Sequence, residues 1–384
     1  MPFDSATREA MLESVDRLIR DHVAPRAKEL DDSSAFPHDL YSEAAKLGLF
    51  GLWTPEAYGG LAGDMRTALL IAERFARVSP TFALIFANCG DATIPLVMAA
   101  SERVKREWLP GIASGEIVPC FALTEPKGGS DAAAITTRAR REGDGYVLDG
   151  RKMWITNGTV GGVYLVFAKT DPEAGGRGVS AFVVPREAPG FSIGREESLI
   201  GLHGSPVCEL NFEGVPVPAD ARVGAEGEGF KIAMLTLDEA RLNAAAISLG
   251  IARASIDCAI GYAKERVQFG VPIIEHQGLQ FLIAELLTEY HAAKALWEKT
   301  VDMVEREQTR EASAYCAMTK ILCTDVGMKA TVDAIQVLGA VGLSKAYPVE
   351  RFMRDVKAFQ IFDGTNQIQK RIIGRYLQRW DAPL

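Results

Sequence analysis

Between residues 116 and 227 apolar residues recur at every second position, and on either side of that stretch they recur at helical spacing. A side-chain period of two belongs to a strand and a period near 3.6 to a helix, so one element type cannot serve the whole chain. The order has to be helices, then sheet, then helices. Residues 1–115 show the helical pattern at Ala10, Met11, Val15, Leu18 and Ile19, and again through TALLIAERFARV and ERVKREWLPGI. The middle holds the short β-rich runs EIVPCFALTE, GYVLDG, RKMWITNG, GVYLVFAKT, GVSAFVVP and VCELNFEGVPVP, divided by GDG, EAGGRG and APG. Such links are too short for crossover helices, which predicts an antiparallel sheet. Residues 228–384 return to long helical runs such as LQFLIAELLTEYHAAKALWEKTVDMV, giving an α+β chain with an N-terminal all-helical domain (1–115), a middle β domain (116–227) and a C-terminal helical domain (228–384). No repeat or low-complexity linker separates them.

Composition removes several functions. With 384 residues, 48% of them hydrophobic and 24% charged, the chain suits a globular core. A net charge of -8 argues against a nucleic-acid partner, which needs a basic face. The six cysteines (Cys89, Cys120, Cys208, Cys258, Cys316, Cys323) form no C-x-x-C pair and no metal-ligand spacing, so no metal site is expected and reduced, mostly buried thiols of a cytoplasmic protein are. The amphipathic, mixed-charge N-terminus and the lack of an uninterrupted apolar run of ~18 residues predict neither an export signal nor a membrane segment.

Two stretches carry candidate chemistry. CFALTEPKGGSD (120–131) ends a strand in a turn where several backbone N–H groups and hydroxyls can converge on a ligand, although Gly/Pro clusters also form ordinary turns. RKMWITNG (151–158) puts Trp154 and Thr156 on one side of a strand, which suits a planar heteroaromatic ligand or a core tryptophan beside a satisfied threonine.

Taken with DEAR (238–241), ERVQFG (265–270), QVLGAVG (336–342), YPVERFMRD (347–355) and QIFDGTNQIQ (360–369), they resemble the acyl-CoA dehydrogenase family in order and spacing over nearly the whole chain. The resemblance implies helices, an antiparallel β-barrel-like middle and a C-terminal four-helix bundle, assembled as a homotetramer with FAD between the parts. It places Phe121, Leu123 and Thr124 against the flavin ring and its polar edge, Trp154 on the ring, Thr156 near N5, and Ser130 at the cofactor or thioester. Arg266, Gln268 and Phe269 would reach the adenosine diphosphate part of FAD in a neighbouring subunit. Gln336 and the turn through Gly339 and Ala340 would meet it from the opposite one. Thr365 and Gln367 would close the site. Lys127 and Ala340 depart from the commoner family residues.

By the same resemblance Asp363 falls on the catalytic base, removing the α-proton of an acyl-CoA while hydride leaves the β-carbon for flavin N5. Ser130, Asp238, Arg241, Asp363 and Gly364 form the substrate side. The family residue at 363 is usually glutamate, ~1.5 Å longer in reach, and a misplacement near 1 Å can cost ~100-fold in rate. Some subfamilies carry the base directly before the arginine that corresponds to Arg241, but here that residue is Ala240. Glu239, rotated ~100° further round the helix, reads as surface charge. Arg241 and Asp238 also make sense as an intrahelical pair on a solvated face. Residues 79–96 match the acyl chamber, bulky at Phe82, Leu84 and Phe86, without an arginine for a dicarboxylate. Asp91 within them reads as an N-cap or as a second catalytic acid.

A shorter base suits a branched or alicyclic acyl group such as cyclohexanecarboxyl-CoA. The resemblance also implies an electron-transferring flavoprotein as acceptor. The alternatives are a flavin oxidase of small carbon acids such as nitroalkanes, which also uses an aspartate base, and a non-catalytic acyl-CoA-binding scaffold.

Overall fold

The computed structural model describes residues 3–306 and 310–378. The chain begins with six α-helices: α1 (Ser5–Leu18), α2 (Ala27–Ser33), α3 (His38–Lys46), α4 (Met65–Ala76), α5 (Pro80–Ala99) and α6 (Glu102–Ala113). Their starts follow capping chemistry: Asp4, Asp64, Ser79 and Ser101 each accept a backbone N–H from the first turn, and Pro80 opens α5 where no donor is needed.

Eight strands follow: β1 (Pro119–Ala122), β2 (Arg138–Glu142), β3 (Gly145–Thr156), β4 (Val163–Lys169), β5 (Val179–Pro185), β6 (Phe191–Glu196), β7 (Val207–Pro218) and β8 (Arg222–Val223). They form one sheet in the order β6-β7-β3-β2-β4-β5-β8, with β1 added against β4. Most pairs are antiparallel as expected, but β1 runs parallel to β4, with Phe121 opposite Leu165, and β2 touches β4 in parallel. These are non-local pairings, and short links constrain only neighbours in sequence.

Strands β4 and β5 are buried on both faces. Tyr164, Val166, Phe182 and Val184 enter one core with Leu210 and Phe212. Leu165, Phe167, Ala181 and Val183 enter another with Leu109 and Ile112 of α6, and with Ile232 and Ala233 of the next helix. Sheet and helices are thereby fused through shared apolar area.

That helix is α7 (Gly229–Glu265), followed by the hairpin β9 (Val267–Gln268) and β10 (Val271–Pro272), then α8 (Gln277–Arg306), α9 (Arg310–Leu338), α10 (Val349–Phe359) and α11 (Asn366–Leu377). Helix α7 is alanine-rich and allows close approach: a Cβ on Gly250 would lie 2.3 Å from the Glu73 carbonyl of α4. Leu242, Leu249 and Ile256 of α7 pack with Leu286 and Trp297 of α8 and Val326 of α9. Ile247 and Ile251 turn the other way, into the core that holds Phe75, Phe82, Phe86, Phe352 and Val356.

Apolar content interrupted by polar residues qualifies the membrane expectation without overturning it. Three helical stretches, Pro80–Ala99, Gly229–Glu265 and Glu311–Leu343, are long and apolar enough to cross a bilayer. Their apolar runs are broken by polar residues, so a search for uninterrupted runs passes over them. In the fold they supply apolar residues to the internal cores. All six cysteines are free, and only Cys258 is not fully buried.

Candidate active site

Seven non-glycine residues among those described have positive φ, and three of them, Trp154, Phe269 and Asp363, belong to the set expected to act. Such conformations cost of order 1–3 kcal/mol and persist where the surroundings over-determine them.

The first wall is the edge between β1 and β3. Strand β3 is bulged between Lys152 and Ile155, and Trp154 sits in the bulge with φ of 62°. Ile155 points into the core, while Trp154 remains 49% exposed and Thr156 half-buried. The Met153 N–H donates to the Thr124 carbonyl at 2.9 Å, tying this bulge to the chain after β1. Beneath them lies a fully buried ion pair, Lys152 Nζ to Glu125 Oε1 at 2.8 Å, with Lys152 also donating to the Leu123 carbonyl at 3.0 Å. Glu125 further accepts from Thr136 N (2.6 Å), Thr136 Oγ1 (2.8 Å) and Thr137 N (2.9 Å). These bonds and the Lys152 charge hold its carboxyl below the usual range despite burial, whereas burial lowers Lys152 to about 8.

Leu123 does not offer its side chain to a ligand. It is buried in the core with Leu96 and Val104, and Phe121 packs at the edge of that core with its ring 4.9 Å from Phe167. The turn after them is open: Gly128 N donates to the Glu125 carbonyl at 3.0 Å, Gly129 has no atom within 4 Å of a would-be Cβ, and Ser130 is exposed.

The second wall is the turn between α10 and α11. Asp363 has φ of 54° and Gly364 of 87°. The Asp363 carbonyl accepts from Gln369 Nε2 at 3.0 Å and from Arg241 Nε at 3.4 Å. The Gly364 carbonyl accepts from Gln369 Nε2 at 2.7 Å and Lys320 Nζ at 2.9 Å. Thr365 caps α11 by accepting from Ile368 N, and Gln367 is exposed. The Arg241–Asp238 pair is real, at 2.5 Å, but Arg241 is 4% exposed, so it lies on no solvated face. Asp238 also accepts from Ser313 at 2.9 Å, and burial raises its pKa.

Two acids lie elsewhere than their capping and surface readings would put them. Asp91 is well inside α5, not at its start, and its Oδ1 is buried without a hydrogen bond among the described residues. The N-cap of that helix is Ser79. Glu239 is largely enclosed, because α7 is packed by α4, α5 and α9 and leaves it only intermediate exposure. Burial pushes its carboxyl up to about 7, and the Trp53 indole N–H faces it without reaching full hydrogen-bond geometry. Asp91, Glu239 and Asp363 form one electrostatic group: Asp91 is raised by burial, then by Asp363, then by Glu239. Asp363 is raised by burial but eased by Lys320 and Arg241. Each keeps intermediate exposure while ringed by protein, as groups lining a cleft do. Phe82 and Phe86 belong to the internal core, the latter with its ring 4.9 Å from Trp53.

The remaining expected residues lie apart from these walls. Arg266 and Gln268 are exposed, and Phe269, 95% exposed with φ of 54°, forms with Gly270 (φ 83°) the two-residue loop of the β9–β10 hairpin. Gln336, Gly339 and Ala340 are exposed at the end of α9. Lys320, Gln369 and Glu125 were absent from the expected set. A lysine inside the apolar run AMTKILC is the signal that could have singled out Lys320.

The helical–sheet–helical body holds a strained acid, Asp363, among buried charged groups and, in a strained bulge of the sheet, a half-exposed indole, Trp154. Three family profiles match the chain: Acyl-CoA dehydrogenase N-terminal domain (residues 5–116), middle domain (120–215) and C-terminal domain (227–378). The cyclohex-1-ene-1-carbonyl-CoA dehydrogenase of Geobacter metallireducens is 42% identical over 356 residues, covering 92% of this chain and 93% of that protein. Butyryl-CoA dehydrogenase from Megasphaera elsdenii superposes with a TM-score of 0.94 at 35% identity, covering 99% and 100%. A chain solved in work on the electron transferring flavoprotein of Acidaminococcus fermentans gives a TM-score of 0.94 at 37% identity, with the same coverage. The chain belongs to the acyl-CoA dehydrogenase family, whose members are FAD-dependent oxidoreductases. The residues present fit that cofactor: a large indole held half-exposed in a strained bulge, flanked by the half-buried Thr124 and Thr156, is a surface shaped for a flat polar ring.

Proposed function

We propose that Asp363 is the base that takes the α-proton of an alicyclic acyl-CoA, and that Asp91 stands beside it as a protonated second acid. The observation that carries this reading is the unequal surroundings of two interacting carboxyls. Asp363 has Lys320 and Arg241 to compensate its charge, whereas Asp91 faces only other acids. Titratable groups whose surroundings push them apart divide the acid and base roles, so Asp363 ionises first and Asp91 holds its proton. Burial raises Asp363 above an ordinary aspartate, toward the range a base needs to take a carbon-bound proton. The Asp363 N–H makes no hydrogen bond among the described residues and would serve the thioester oxygen as charge develops there. Bound FAD supplies the hydride acceptor for the β-carbon; Trp154, Thr124 and Thr156 would hold its ring, and Arg266, Gln268 and Phe269 its distal part.

The ring substrate is supported by the short base and by the Geobacter relative, named for a cyclohexene thioester. The oxidase and scaffold alternatives are not favoured, because the profiles, the relative and the solved structures point to dehydrogenases. We also infer a homotetramer and electron transfer to an electron-transferring flavoprotein. The exposed Phe269 hairpin supports the first, to be checked by sedimentation of the flavoprotein, and family membership supports the second. The deciding experiment is anaerobic bleaching of the flavin by straight, branched and ring acyl-CoAs. Cyclohexane- and cyclohexenecarboxyl-CoA should bleach fastest, and Asp363→Ala should abolish bleaching with FAD retained. Full activity in Asp363→Ala would move the base elsewhere.

A further inference from the structure

Lys320 of α9 has no exposed surface, yet it carries an ammonium and makes no salt bridge among the described residues. Burying a charge without a paired counter-ion is costly unless its donors are used. Here they are directed at the turn of the candidate base. The ammonium donates to the Gly364 carbonyl at 2.9 Å and to Asn366 Oδ1 at 3.2 Å, one and three residues after Asp363. Asn366 is itself fixed, donating from Nδ2 to Thr324 Oγ1 (3.0 Å) and Asp325 Oδ1 (2.9 Å). Gln360 Nε2 donates to the same Asp325 oxygen at 2.6 Å, so the chain is braced on both sides of Asp363.

The charged groups around this point divide cleanly. Lys320 feels Asp363 and Asp325 as attractive and Arg241 as repulsive. Asp363 feels Lys320 first and Arg241 second, while Asp91 and, behind it, Glu239 lie on the acidic side. Arg241 is engaged by Asp238, so its charge is partly answered already. Lys320 has no such carboxylate partner.

Resting on the reading of Asp363 as base, we propose that Lys320 is the positioning residue of that base: its ammonium fixes the left-handed turn at 363–364 and supplies the charge opposite the Asp363 carboxylate. Burial lowers Lys320 itself to about 8, so its charge is present at neutral pH and withdrawn under alkaline conditions.

The test uses the FAD-loaded, substrate-free protein. The infrared carbonyl band of protonated Asp363, assigned by its disappearance in Asp363→Asn, is titrated in wild type, Lys320→Met and Lys320→Gln. Gln can keep a donor to the turn without the charge and serves if the methionine variant does not accumulate as flavoprotein. The expected result is a midpoint raised by about one pH unit or more in the uncharged variants, a tenfold gain in proton affinity. Bleaching by cyclohexanecarboxyl-CoA should then show its acid limb displaced to higher pH, with kcat reduced more than KM changes. An unmoved midpoint in an uncharged variant that retains FAD would overturn the proposal. If instead Asp363→Asn still bleaches at the wild-type rate, the base assignment fails, while the infrared titration still decides whether Lys320 governs the Asp363 charge.

Discussion

The length of the base is open to direct test through Asp363→Glu, because the turn that carries it cannot readily retreat. The extra methylene adds ~1.5 Å of reach, and a misplacement near 1 Å costs roughly 100-fold, or about 2.7 kcal/mol. Backbone relaxation could hide that loss if it were cheaper. The 363–364 carbonyls, however, accept four side-chain hydrogen bonds from Gln369, Arg241 and Lys320. At roughly 1 kcal/mol each, breaking them costs about 4 kcal/mol, more than the misplacement it would relieve. The turn should therefore stay in place and the full penalty should appear. Measured by stopped-flow anaerobic bleaching, Asp363→Glu should be slowed about 100-fold with ring thioesters and far less with straight chains, whose α-carbon can shift along the cleft. Rates within threefold of wild type for every thioester would refute the claim that a rigid turn selects substrate by reach.

Three further outcomes follow from buried groups. Glu239 has a folded pKa of about 7 against an ordinary 4.5, so the folded state binds its proton more tightly and stability falls as pH rises from about 4.5 to about 7. Glu239→Gln should remove that slope and raise stability above pH 7 by up to about 3 kcal/mol, read from urea unfolding at pH 5 and pH 8; an unchanged slope would place the carboxyl in water. Lys152→Met should destabilise by roughly 3–5 kcal/mol, because it leaves the Glu125 charge buried and unpaired, and should release FAD. Glu125→Leu should cost more than Lys152→Met, since it strips Lys152, Thr136 and Thr137 of an acceptor together.

What was legible in the sequence followed from local chemistry. The helix–sheet–helix order, the caps and the acid in its Gly-Thr-Asn turn are written in short stretches. Strand β2 was passed over because in RARRE only Ala139 faces inward, so alternation has one apolar member to show. GYVLDG and RKMWITNG read as two runs, yet they form the single strand β3, which passes exposed residues around Asp149, where its register with β7 shifts, and bulges beyond Lys152. Glu239 and Asp91 were misplaced for one reason. Their helices are packed on several sides, and helical periodicity reports a solvated face only where a helix has one. The burial of Leu123 follows strand β1, which pairs in parallel with a strand some forty positions away, an arrangement to which local pattern is blind.

The strained residues differ in what holds them, and the difference bears on assembly. Trp154 is braced within the protomer by Lys152, bonded to the Leu123 carbonyl, and by the Met153 bond to Thr124. Asp363 is braced by Lys320, Gln369 and Arg241. In both cases a buried lysine reaches from one segment to a carbonyl of another, a task for which a compact cation with three donors on a long stem is suited. Phe269 has the same left-handed strain, but its ring meets little beyond the edge of His276, centroids 5.9 Å apart, and is otherwise open to solvent. Exposing a phenylalanine in a conformation that glycine adopts freely is unfavourable twice over, and neither cost is offset inside the protomer. A surface that covers this ring would offset both costs, and the second subunit proposed above would offer one.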